Sequence, residues 1–150
     1  MKIQELHNNA MELADKGDLM KKQGKTEEAN ALYRQSLDAE REAALAARQQ
    51  GVGEPSESVL FRSAASLAYT IGDYREAERL VCLGLSGNPP AEIADELRSL
   101  YDAVSMGRSM SQIESASPSA EHEDVTITIP IRERNLLNVL IRKFGWACVF

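Results

Sequence analysis

Gly72-Asp73-Tyr74-Arg75-Glu76-Ala77 is the stretch from which the fold of this chain can be read. Glycine frees a sharp turn, Asp73 is a good N-cap, and Glu76 three residues on completes the pattern of a capping box. The hexapeptide therefore joins two helices. Ser56 caps the upstream one, which runs through Thr70 or Ile71, and the downstream one reaches about Ser86. Gly24-Lys25-Thr26-Glu27-Glu28-Ala29 has the same composition, with Thr26 as the expected cap and two acids where the helix dipole favours them.

Working outward, Ile3, Leu6, Ala10, Leu13 and Met20 recur at helical steps with Gly17 in the same series, predicting a helix over residues 2–23. A second helix follows from Thr26 to about Gln50 and is broken by Gly51-Val52-Gly53-Glu54-Pro55. Gly87-Asn88-Pro89-Pro90 stops the fourth helix and opens a fifth, about Pro89 to Met106, with Ile93, Leu97, Leu100 and Val104 on one side.

The bulk properties agree with a helical body. The chain has 150 residues, 43% hydrophobic and 27% charged, within the range of a globular domain. Aromatics are only 5%, so an alanine- and leucine-rich core of closely packed helices is expected. The net charge of −6 divides as −6 over residues 1–106, −3 over 107–124 and +3 over 125–150. An acidic body argues against nonspecific binding to nucleic acid. Cys82 and Cys148 stand in no CxxC pattern and read as a core thiol and a terminal free thiol, which fits a reducing compartment. The sequence shows no membrane-length apolar run, Met1-Lys2-Ile3-Gln4-Glu5 lacks the apolar region of a secretion signal, and Cys148-Val149-Phe150 falls short of a prenylation box. A cytoplasmic protein without a membrane partner is the expectation.

The two hairpins resemble the tetratricopeptide repeat, a helix pair of about 34 residues, over about residues 4–106. In the second copy Phe61, Ala64, Ala65, Ala68, Gly72, Tyr74, Ala77 and Pro89 fall on the family's contact and turn positions. In the first, Leu13, Gly17, Met20, Gly24, Ala29, Tyr33 and Leu37 do so. Small residues at Gly17, Ala29, Ala65 and Ala77 would let helices approach closely while Tyr33, Phe61 and Val81 fill the gaps. The sequence departs from the family in one respect. Gly24 and Gly72 are 48 positions apart, so the second helix should overhang its partner by about 15 Å and its Ala43, Ala44 and Ala47 would need cover. The fifth helix is out of phase and reads as a cap. The fold class expected is mainly α: antiparallel helical hairpins with a capping helix and a small C-terminal strand-helix-strand appendage.

That appendage follows a Ser-rich linker over residues 107–124. Val125, Ile127, Ile129 and Ile131 alternate with polar residues as in a strand, residues 133–144 read as a short helix, and Trp146–Phe150 as a second strand. Ile127, Ile129, Arg132, Arg134 and Trp146 are the candidate interaction residues of this tail, through which a homodimer could form by strand pairing.

Three chemical patterns in the chain stop short of a site. Gly24-Lys25-Thr26 ends like a P-loop, but Leu19 stands where its first glycine belongs and a helix precedes it. His7 has Glu12 nearby and His122 lies among Glu121, Glu123 and Asp124, without metal-ligand spacing. No serine sits in a G-x-S-x-G elbow. The chain is thus expected to be no enzyme and to need no cofactor or metal. The resemblance implies instead that the first helix of each hairpin lines a groove for a partner protein or peptide. Its positions fall on Ala14, Asp18, Lys21 and Lys22, and on Arg62, Ser66, Tyr69 and Thr70. Lys21, Lys22 and Arg62 could hold a carboxylate or acidic peptide, with Tyr69 as an amphipathic contact. The alternative is an antitoxin-type regulator whose basic tail binds nucleic acid or a cognate toxin.

Overall fold

The computed structural model describes residues 2–115, and five α-helices lie among them. These are α1 (Ile3–Lys22), α2 (Thr26–Gln49), α3 (Ser56–Thr70), α4 (Tyr74–Leu85) and α5 (Ala91–Ser115). The strand-helix-strand expected over residues 125–150 lies outside the described residues. The described residues through Ser111 form one compact unit.

The turns at Gly24 and Gly72 follow the same backbone path. Gln23, Gly24 and Lys25 have φ of −84°, 77° and −87°; Ile71, Gly72 and Asp73 have −88°, 78° and −81°. In each turn the amide two residues after the C-cap donates back to the last helical turn, Lys25 to the Met20 carbonyl and Asp73 to that of Ala68. Glycine takes the left-handed position because a side chain there would crowd the following carbonyl.

The expected caps hold at one turn and differ at two. Asp73 accepts from the Glu76 amide at 3.1 Å, while the Glu76 carboxylate turns to Arg79 and Arg41 and leaves the capping box half made. Thr26 is the first helical residue, preceded by Lys25, which makes no side-chain cap. Ser56 is likewise already inside α3; the Glu54 carboxylate reaches over instead and accepts from the Ser58 amide and hydroxyl.

Packing makes α2 the centre. Its face toward α1 meets Ala10, whose carbonyl accepts from the buried Ser36 hydroxyl at 2.7 Å. Gly17 lets the Tyr33 ring lie against the α1 backbone: a Cβ there would stand 2.7 Å from Tyr33 Cε1. The pairs His7–Glu40, Ala10–Ser36 and Asp18–Tyr33 show α1 running antiparallel to α2. Arg48–Glu57 and the approach of Ser63 to Glu40 show the same for α3 on the other side. The cover that Ala43, Ala44 and Ala47 needed is α3, and all three are fully buried. Arg48 finishes that seam. Its guanidinium lies 4.5 Å over the Phe61 ring, donates to Glu57 at 2.6 Å and to the Leu83 carbonyl at 2.6 Å.

On the far side Phe61, Leu80, Val81 and Leu97 are fully buried, and Leu97 rests against Gly84 of α4. α5 continues past Met106 to Ser115, so Gly107–Ser115, expected to begin the linker, is helix. Gly107 allows this by admitting the Tyr74 ring, and Arg108 pairs with Glu78 at 2.7 Å. Cys82, expected in the core, is exposed. α4 turns Ala77, Leu80, Val81 and Gly84 inward, and Cys82 falls off that stripe.

Candidate functional site

α1 and α3 both run antiparallel to α2, so they are parallel to each other and their C-terminal ends lie at the same end of α2. Asp18, Lys21, Lys22, Tyr69 and Thr70 lie toward this end and Arg62 about midway along α3, and the structure sorts the set into engaged and free. Asp18 is engaged: it accepts from the Tyr33 hydroxyl. Burial, helped by that carboxylate, pushes the Tyr33 phenol up to about 12. Arg62 is also engaged, by Glu96 of α5. Ser66 and Thr70 give their hydroxyls to the carbonyls of Arg62 and Ser66 in their own helix. Lys21 and Lys22 are exposed and make no ion pair among the described residues. Tyr69 is exposed and tilts against Tyr74 with ring centroids 5.8 Å apart.

Solvent also meets apolar side chains on α1, α3 and α5. Leu19 of α1, Tyr69 of α3 and Tyr101 of α5 are 51%, 38% and 39% exposed. Leu45 and Val52 are exposed elsewhere, on α2 and in the loop after it. The tail candidates Ile127, Ile129, Arg132, Arg134 and Trp146 lie outside the described residues.

An open depression of about 530 Å³ on the second hairpin is lined by Asp73, Arg75, Glu76, Glu78 and Arg79. Its charges are largely spoken for. Arg79 binds Glu76 through two bonds of 2.7 and 2.8 Å and Arg41 approaches at 3.5 Å, holding the Glu76 carboxyl below its usual range.

A different cluster escaped the sequence reading. His7 meets not Glu12 but Glu40, whose two carboxylate oxygens lie 3.0 and 2.9 Å from His7 Nδ1. Glu40 is fully buried, and burial pushes its carboxyl above the ordinary range against the opposing pull of His7 and the Ser63 hydroxyl. A signal was present: Glu40 falls in the inward series Tyr33, Leu37, Glu40, Ala44 and Ala47, where an acid needs a partner. No set of three potential metal ligands comes together among the described residues, and no described helix is long and apolar enough to cross a membrane.

No family model, curated protein or solved structure matches this chain.

Proposed function

We propose that α1–α4 are two divergent hairpins of tetratricopeptide type, that α5 caps them, and that the body is an adaptor which docks a protein or peptide partner. The three-residue connections at Gly24 and Gly72 support the hairpin relationship, since Lys25 and Asp73 lead straight into the next helix at φ −87°, ψ 69° and φ −81°, ψ 71°, whereas the glycine hydrogen-bond pattern recurs at Gly51 after α2. The difference between the copies lies in helix length, 24 residues for α2 against 12 for α4.

The observation that carries the docking reading is the exposure of Leu19, Tyr69 and Tyr101 on α1, α3 and α5, with exposed Lys22 one helical turn on from Leu19 and Lys21 exposed in the same last turn of α1. Apolar side chains flanked by unpaired ammonium groups suit a peptide that brings both apolar and acidic residues. Arg62 is not counted among the binding cations, because Glu96 holds it. This reading assigns no catalytic role and keeps the protein out of the membrane.

A peptide-display selection against the folded protein tests it. Selected peptides should be acidic with apolar anchors, and L19S/K21E/K22E/Y69S should weaken them at least about tenfold. A substitution on the outer face of α2, such as Gln35→Glu, should not. Peptides that bind both variants as tightly as wild type would place docking elsewhere.

A further inference from the structure

Arg62 and Glu96 stand 34 positions apart and meet across α3 and α5. Arg62 is the one basic residue of α3, and Ser66 and Tyr69 follow it, exposed, one and two turns on along the same outward face. The Ser66 and Thr70 hydroxyls are given to carbonyls of their own helix. Arg62 is therefore the donor that this face offers a carboxylate, and the group now holding it is itself a carboxylate.

The pair is not what seats α5. Leu97 is fully buried against Gly84, Val104 is 1% exposed, and Gly107 admits the Tyr74 ring. The ion pair, by contrast, is open to solvent, with 32% of the Arg62 side chain and 52% of the Glu96 side chain exposed. Such a pair is weak, because water serves each partner well and ordering two long side chains offsets their attraction. Arg98, two residues on along α5, pairs with Asp95 at 2.7 Å, so a displaced Glu96 turns to water rather than to that cation.

We infer that Glu96 is an internal stand-in for a partner's carboxylate, masking Arg62 until an acidic peptide displaces it. This masking rests on the docking of an acidic, apolar peptide proposed above, and it adds a third cation and a threshold for entry to that site. A carboxylate that reaches Arg62 exchanges one exposed ion pair for another, at little net cost. An uncharged peptide side chain has nothing to offer the guanidinium and leaves Glu96 in place. A free anion must compete with a carboxylate tethered beside Arg62, whereas a carboxylate on a peptide already anchored at Tyr69 competes on equal terms. Glu96 thereby selects for acid and apolar contact together.

Fluorescence anisotropy of the full chain with a fluorescein-labelled peptide of alternating glutamate and leucine tests this. Glu96→Gln should bind the peptide about three- to fivefold more tightly than wild type, the worth of one exposed ion pair. In an Arg62→Gln background the same substitution should bring no gain, which separates unmasking from the mere loss of a negative charge. A peptide with glutamine in place of glutamate should not distinguish Glu96→Gln from wild type. An equal gain with and without Arg62, or no gain with Arg62 present, overturns the masking. The docking reading survives that result if L19S/K21E/K22E/Y69S still weakens the peptide. A peptide bound by neither wild type nor Glu96→Gln overturns both.

Discussion

Gly17 shows what one absent carbon does at the residue scale. As a mid-helix residue it costs α1 about 1 kcal/mol of helix propensity relative to alanine. Propensity alone would therefore favour Gly17→Ala. Contact reverses that sign: the added Cβ would meet Cε1, Cδ1 and Cζ of Tyr33 at 2.7, 2.9 and 3.1 Å. Tyr33 is buried and its hydroxyl is tied to Asp18, so its ring has little room to retreat. Overpacking of this kind costs about 1–3 kcal/mol. Gly17→Ala is thus expected to destabilise the body in urea denaturation, and Gly17→Ala with Tyr33→Leu should recover much of the loss. The small residue was legible in the sequence as a close-approach position. Its partnership with a ring whose hydroxyl returns to the same helix was not, because that pairing joins Gly17, Asp18 and Tyr33 only once α1 and α2 have docked.

At the scale of elements, the seam between α2 and the second hairpin depends on Arg48. One guanidinium stacks on Phe61, pairs with Glu57 and satisfies the Leu83 carbonyl near the end of α4. It thereby ties α2, α3 and α4 together. Arg48→Ala is expected to lower stability by about 2–3 kcal/mol, since it removes a charge-assisted bond and ring contact together and strips a carbonyl of its donor. Arg48→Lys should recover only part, because an ammonium lacks the planar fork that spans two acceptors. Thermal unfolding of the two variants beside wild type checks the order. Equal stability of all three would mean that α3 covers Ala43, Ala44 and Ala47 without this tie. In the sequence, Arg48 was one of many charged residues at a helix end. Its role arises because α3 folds back along α2 far enough to bring Glu57 and Phe61 under it.

For the whole molecule, the extension of α5 changes where the body should be cut. A fragment ending at Met106 removes Gly107, which seats Tyr74, and Arg108, which pairs with Glu78. A fragment ending at Ser115 keeps both. The 1–115 fragment is expected to retain a cooperative thermal transition and to exceed 1–106 in stability by about 1–2 kcal/mol, chiefly through aromatic packing. Circular dichroism melts of the two fragments make the comparison. Light-scattering masses of 1–115 and the full chain then test assembly: a monomeric fragment beside a dimeric full chain would assign pairing to the residues beyond it.

The sequence by itself determined the helical body, its turns and most of its helix limits, because those features are local. Glycine at a left-handed turn, an aspartate cap and apolar residues at helical spacing act over a few positions and can be read without the fold. Tertiary structure alone decided which polar groups are free. Asp18 and Arg62 look much like other charged residues along the chain, and the inward position of Glu40 names no partner, yet one accepts from a buried tyrosine, one is paired across helices, and one is sealed against a histidine 33 positions away. The reason is physical. Burial and pairing of a charge are set by distance in space, and helices packed side by side bring together residues that their spacing along the chain keeps apart.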